Sequence, residues 1–243
     1  MIFYLGTHAP GWLGSPGRPL FVSAVRLRRM QRWPVARRRW ALDSGGFTEL
    51  SQHGRWTITP EQYVAEVRRA RDEVGSLDWA APQDWMCEPW VVEKTGLSVA
   101  EHQRRTIENF LTLRTLAPDL PIVPVLQGWE EADYLRHVEA YSAHGVDLAA
   151  EPTVGLGTVC RRQSTQEAEN IVRWLAEWYG LRLHAFGVKT GGLRRYGDLV
   201  QSADSMAWSF TARRRPIRLE GCTHQTCANC RRWAEQWAEQ VSA

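Results

Sequence analysis

Residues 40–50 read Trp-Ala-Leu-Asp-Ser-Gly-Gly-Phe-Thr-Glu-Leu. A short apolar run ends at an acid, two glycines turn the chain, and an aromatic residue follows. In a parallel sheet this pattern leaves Asp43 at the carboxyl end of a strand, where such folds place their chemistry. By itself, Asp43-Ser44-Gly45-Gly46-Phe47 fits a tight turn with the aspartate as a helix cap equally well. Repetition along the chain decides. Eight β-type runs lie near residues 2–5, 21–27, 40–43, 77–81, 122–127, 153–157, 184–188 and 205–209. Pro82-Gln83-Asp84 follows the fourth, Gln127-Gly128 ends the fifth, and Gly155-Leu156-Gly157 ends the sixth. Gly187-Val188-Lys189-Thr190 follows on the seventh, and Asp204 sits at the eighth. In a barrel all these ends converge on one face.

Helical patterns alternate with the apolar runs, which argues for crossover helices and a parallel sheet. Thr59-Pro60 reads as an N-cap with proline at the first helical position, and Ser98-x-x-Glu101 and Ser164-x-x-Glu167 read as capping boxes. The Gly/Pro-rich segment between the first two runs leaves no room for a helix. The expected class is therefore α/β, a (β/α)8 TIM barrel, with a doubly wound open sheet as the second architecture. No Pro/Gly linker or repeat divides the chain, so residues 1–243 read as one domain.

Composition narrows the partners. Lys plus Arg is 30 against 27 for Asp plus Glu, a net charge of +3, and a balance this small identifies no partner. Its distribution is more informative. Arg26, Arg28, Arg29, Arg32, Arg37, Arg38 and Arg39 cluster near the N-terminus, and Arg213, Arg214 and Arg215 form a second run. Clustered guanidinium groups suit phosphate oxygens, although a solvated surface has the same appearance. No apolar run reaches the ~20 residues that span a bilayer, and no secretory leader is evident; a cytoplasmic location without membrane contact is expected. Most of the 13 tryptophans are assigned to packing.

Two or three carboxylates at one barrel mouth fit glycosidic-bond chemistry, in which one attacks the anomeric carbon and another moves protons. Glycines after Asp43 let backbone approach a flat ligand, and Phe47 can stack on it. Bland readings stand beside these: Asp84 as a loop cap, Gln127 as a satisfied core amide, Asp204 as a turn residue. Cys160 reads as packing, and His8 and His102 as ordinary polar residues.

The strings ALDSGGFTEL, DWAAPQDWMCEP, PVLQGW, VGLGTVCRRQ, FGVKT and SADSMAWS resemble the tRNA-guanine transglycosylase (queuine tRNA-ribosyltransferase) superfamily, and more closely its DpdA branch, associated with deazapurines in DNA. The resemblance runs from about Phe3 to Trp233. It implies exchange of guanine for a 7-deazaguanine such as preQ0 in DNA through a covalent glycosyl-aspartate. Carried over, Asp204 is the nucleophile, Asp43 the general acid/base, and Phe47 the aromatic under the base. Asp84 and Gln127 read the purine edge, and Gly155, Leu156 and Gly157 offer backbone groups to the ring. Residues 231–243 alone follow Cys230, which favours DNA or a nucleoside over tRNA. Two other functions stay open: an N-glycosidase or base-exchange enzyme of small nucleotides, and a non-catalytic nucleic-acid-binding module.

Cys222-Thr-His224-Gln-Thr-Cys227-Ala-Asn-Cys230 is C-x-H-x2-C-x2-C, four donors suited to one tetrahedral Zn2+. A zinc-binding segment at about residues 219–236 is expected, structural because four donors leave no open position. The superfamily pattern, C-x-C-x2-C with a distant histidine, differs at His224.

Overall fold

The computed structural model describes residues 1–242, leaving Ala243 outside the described residues. Eight strands form one parallel sheet with the order β4-β3-β2-β1-β8-β7-β6-β5. In chain order these are β1 (Ile2–Thr7), β2 (Leu20–Ser23), β3 (Trp40–Asp43), β4 (Leu77–Ala80), β5 (Val125–Leu126), β6 (Val154–Leu156), β7 (Leu183–Ala185) and β8 (Ser202–Ser205). The first and last strands are neighbours at the centre of this order, so the chain winds outward both ways. A parallel bridge, Ala80↔Ile122, links β4 to the segment leading into β5. It is fastened by Ala80 N–H to Pro121 O (2.9 Å) and Val123 N–H to Ala80 O (3.1 Å). The sheet is thus curled and barrel-like, as the alternating pattern predicts.

Ten helices return the chain: α1 (Ala24–Leu27), α2 (Gly46–His53), α3 (Pro60–Arg69), α4 (Pro89–Thr95), α5 (Val99–Leu116), α6 (Glu131–Ala143), α7 (Gln166–Arg173), α8 (Thr190–Tyr196), α9 (Ala207–Arg214) and α10 (Arg231–Ser242) among the described residues. The Thr59 cap forms with its full reciprocal box, and Ser98 accepts from Glu101 N–H. The third start is shifted by one residue: Thr165, not Ser164, caps α7 by accepting from Ala168 N–H at 3.2 Å.

Several strand limits also differ from the apolar runs, each for a reason of pairing. The second run stops at Ser23, whose ladder partner Asp43 ends β3, and residues 24–27 coil into α1. The fifth shortens to two residues because Pro121 and Pro124 lack an N–H for the ladder. The eighth lies earlier than expected. Residues 202–205 pair with β1, while the apolar residues beyond Met206 are a helical stripe, with Trp208 and Ala212 buried one turn apart on α9. The segment between β1 and β2 does hold one 3-10 turn, Pro10–Gly14.

Side chains alternate across each strand, and the two faces fill differently. Phe3, Leu5, Leu20, Val22, Trp40 and Leu42 join the helices in the large core. Tyr4, Phe21, Ala41, Trp79, Ala81 and Val123 form a separate cluster on the other face, with His184 wedged among Tyr4, Phe21, Trp79 and Phe186. Two residues further along the same face come Ser23 after Phe21, Asp43 after Ala41, and Phe186 after His184. An aromatic plug thereby becomes a floor, and polar side chains stand at its rim. No described helix is long and apolar enough to cross a membrane.

Candidate active site

Above that floor lies a cavity of about 440 Å³, lined among others by Asp43, Phe47, Asp84, Gln127, Gly157 and Asp204. Small-molecule sites occupy roughly 300–1,000 Å³. The structure therefore brings six of the eight expected site residues to one space. Gly155 and Leu156 do not line it. Gly155 N–H is spent on Pro124 O at 2.8 Å, and its missing side chain leaves room for the Phe186 ring, which does line the cavity.

Asp204, the next-to-last residue of β8, has one oxygen held. Its Oδ1 accepts from Gly187 N–H at 2.9 Å and lies 3.4 Å from His184 Nε2. His184 Nδ1 in turn lies 2.9 Å from Ser202 Oγ. With Ser202 donating to Nδ1, the imidazole presents Nε2–H to the carboxylate. His184 is fully buried, and burial holds its pKa below the usual histidine value. Both contacts fall on Oδ1, leaving Oδ2 as the oxygen available to a ligand.

Asp43 ends β3, where Gly45 N–H donates to its Oδ1 at 3.1 Å. Burial raises its pKa, the Gly45 and Ser23 hydrogen bonds oppose the rise, and the charge of Asp204 adds to it. Gly45 takes a left-handed φ of 89° at the N-cap of α2, a conformation open to glycine at little cost. Phe47, one residue into that helix, is exposed and meets Trp90 edge-on at 5.8 Å.

Asp84 follows β4. Burial pushes its pKa up to about 7, with Asp43 adding to the rise and the Gln127 hydrogen bond opposing it. Gln127 Nε2 donates to Asp84 Oδ2 at 2.5 Å, and Ser44 Oγ donates to Oδ1 at 3.4 Å. The Gln127 amide lies over Gly157, where any side chain would collide with it.

Several cavity residues went unnoticed in the sequence. Glu88 and Thr158 line the wall; Thr158 Oγ1 donates to Gln127 Oε1 at 2.6 Å, and burial raises the Glu88 pKa. His184 was legible only as one residue of a strand. Cys160, expected as packing, is half-buried on the cavity wall, where burial lifts its thiol to about 11. His8, read as ordinary, also lines the cavity, stacked at 5.9 Å on Trp208. The charges of Arg26 and Arg213, from the two arginine clusters, both act on it.

The donor atoms of Cys222, His224, Cys227 and Cys230 all lie within 4.8 Å of one another. Cys222 Sγ and Cys230 Sγ are 3.9 Å apart, and His224 Nε2 is 3.1 Å from Cys227 Sγ. Zinc–sulfur bonds of ~2.3 Å in a tetrahedron imply S···S edges of ~3.8 Å. The cluster can hold a metal ion. Leu219 N–H to Cys227 Sγ (3.3 Å) and Arg232 Nη1 to Cys222 Sγ (3.9 Å) supply donors suited to thiolates.

A curled parallel sheet with three aspartates at its carboxyl rim and a Cys3His cluster after the last strand is consistent with the tRNA-guanine transglycosylase-like superfamily. The family model DpdA, deoxypurine in DNA protein A, matches residues 1–243, and the chain belongs to that family. Membership gives it a role in deazapurine modification of DNA and implies a transglycosylase-type enzyme. No curated protein matches the chain.

Proposed function

We propose that the protein exchanges guanine in DNA for a 7-deazaguanine such as preQ0, on a closed (β/α)8 barrel forming one domain over residues 1–243. The observation that carries this reading is the presentation of Asp204: one oxygen is held by Gly187 and His184, beside Asp43 and Asp84 in one cavity. Asp204 Oδ2 attacks C1′, and the C1′–N9 bond breaks with its electron pair passing to guanine. Asp43, whose pKa burial raises, gives a proton to the departing base. It then takes the N9 proton of the incoming deazapurine. That nitrogen attacks C1′, the sugar–Asp204 bond breaks, and two inversions leave the configuration retained.

Asp84 and Gln127 read the purine edge, Phe47 stacks on the ring, and Gly157 gives the amide room. A duplex base must be flipped out to reach the cavity, at a cost of a few kcal/mol, and phosphate contacts from Arg26 and Arg213 offset it. The Cys3His cluster holds a structural zinc, which ties the chain together near the last helix and has no open position for chemistry.

Mass spectrometry of nucleosides from DNA incubated with protein and preQ0 tests the reading. The expected product is the preQ0 deoxynucleoside with wild type and none with Asp204→Asn. Unchanged DNA together with turnover of free nucleotides would overturn it in favour of a small-molecule glycosidase.

A further inference from the structure

Thr158 is a buried, β-branched residue in the left-handed region, with φ of 60°. That conformation is an outlier for its residue type, and strain of this kind persists where surrounding contacts enforce it. Three contacts meet at its hydroxyl. Cys87 N–H donates to Oγ1 at 3.1 Å. The single hydroxyl proton has two acceptors in reach, Gln127 Oε1 at 2.6 Å and Glu88 Oε2 at 3.3 Å. The shorter contact takes it. At the far side of the same amide, Gln127 Nε2 donates to Asp84 Oδ2 at 2.5 Å.

We infer that Thr158 is a specificity-determining residue, which locks the Gln127 amide so that the cavity accepts a purine bearing a ring carbonyl and rejects one bearing an amino group there. The inference rests on the purine-edge reading proposed above. An amide nitrogen carries two N–H groups. One is spent on Asp84, and the other remains for the carbonyl oxygen of a guanine-type edge. Asp84, when ionised, accepts from the ring N–H and amino group beside that carbonyl. Turning the amide over sets Oε1 against Asp84 Oδ2 and leaves the Thr158 proton only the longer contact to Glu88 Oε2. It also presents an acceptor to the base, as a 6-amino purine requires. Asp84 opposes that turn only while ionised; Thr158 opposes it in either state. Gly157, beneath the amide, sets its plane without distinguishing its two ends.

Titration of the full chain with guanine and with 2,6-diaminopurine tests this through tryptophan fluorescence. The second base puts an amino group in place of the carbonyl and leaves the neighbouring ring nitrogen without its hydrogen; the part of the preference that changes with Thr158 is the part the amide supplies. Wild type is expected to prefer guanine. Thr158→Val should lose at least about tenfold of that preference, since an unpaired buried amide oxygen is costly. Thr158→Ser, which restores the hydroxyl, should stay within about threefold of wild type. Thr158→Gly relieves the backbone conformation, so it should match or exceed the melting temperature of Thr158→Val and still lose the preference. That pair of results separates specificity from folding. Guanine binding with undiminished preference in both Thr158→Val and Thr158→Gly would overturn the role of Thr158 alone. A wild-type protein that binds neither base would overturn the proposed function, and this inference with it.

Discussion

Asp84 carries two opposed demands in one side chain. Burial raises its pKa to about 7, whereas a guanine-type edge calls for an ionised acceptor. An unfolded aspartate titrates near 3.9, so between about pH 4 and 7 the folded state binds more protons than the unfolded one. The stabilising contribution is then complete below the unfolded pKa and is lost as pH rises through the folded value. Asp84→Asn should therefore raise the melting temperature more at pH 8 than at pH 5; calorimetry at the two values checks it, and an equal gain at both would contradict the assignment. In the wild type, guanine affinity should rise with pH up to about 7, a dependence that Asp84→Asn lacks. Asp204 and Asp43 separate in another way. Asp204→Asn removes the attacking oxygen, so intact-mass analysis should find no protein–DNA adduct. Asp43→Asn should retain attack and slow proton transfer by about 10²–10⁴-fold. An adduct formed by Asp204→Asn and abolished in Asp43→Asn would reverse the two roles.

At the scale of elements, the cysteine–histidine segment does more than close the chain. Cys227 N–H donates to Ile217 O at 2.6 Å, and Trp233 Nε1 donates to Trp208 O at 3.0 Å. Asn229, between two of the cysteines, lies near enough to His8 on the cavity wall to oppose the fall of its pKa. Trp208, on α9, stacks on that same histidine and donates to Gly6 O at 2.9 Å. Cys227→Ser should accordingly lower metal content and melting temperature, and chelation should weaken base binding as well as stability. Elemental analysis with thermal melts reads the first; metal-free protein with an unchanged melt would refute it. The segment was legible from spacing alone because four donors within nine residues have few other uses. Strand β3 and the Thr59 cap were legible because pattern and pairing agree there. The eighth strand was not. Met206, Ala207 and Trp208 are apolar in either conformation, and the partner that ends the strand, β1, is remote in sequence, with Trp208 and Gly6 lying 202 positions apart. His184 and Thr158 escaped for the same reason, since their partners come from other strands and loops.

Across the whole molecule, the arginines divide into two populations. Arg69, Arg71, Arg104, Arg105 and Arg173 are paired to acids on or near their own helices. Arg28 and Arg39, within the N-terminal cluster, are paired to Glu66 and Asp78 and so serve the fold. Among the described residues, Arg26, Arg29, Arg32, Arg37, Arg38, Arg213, Arg214 and Arg215 form no ion pair with a carboxylate. The two unpaired groups are far apart in sequence, yet Arg26 and Arg213 both act on His8 at the cavity. Arg214 lies over the exposed Phe210 ring at 4.5 Å, one helical turn from Met206 on the cavity wall. A net charge of +3 conceals this arrangement, because the acids that balance it sit largely with the other arginines. Positive charge left unpaired around His8, at the wall of an acid-lined cavity, fits a phosphate backbone crossing its mouth. Each phosphate neutralised contributes a slope of about 0.9 for duplex and about 0.7 for single strands in log K against log salt. Replacing Arg213, Arg214 and Arg215 together by Ala should lower the slope for duplex binding by about two to three and weaken binding to all sequences alike. The same change to Arg69, Arg71 and Arg104 should leave the slope where it was. Fluorescence anisotropy across a salt series compares them; equal slopes in the two triple variants would remove the phosphate role from α9 and its flank while leaving the chemistry of Asp204 untouched.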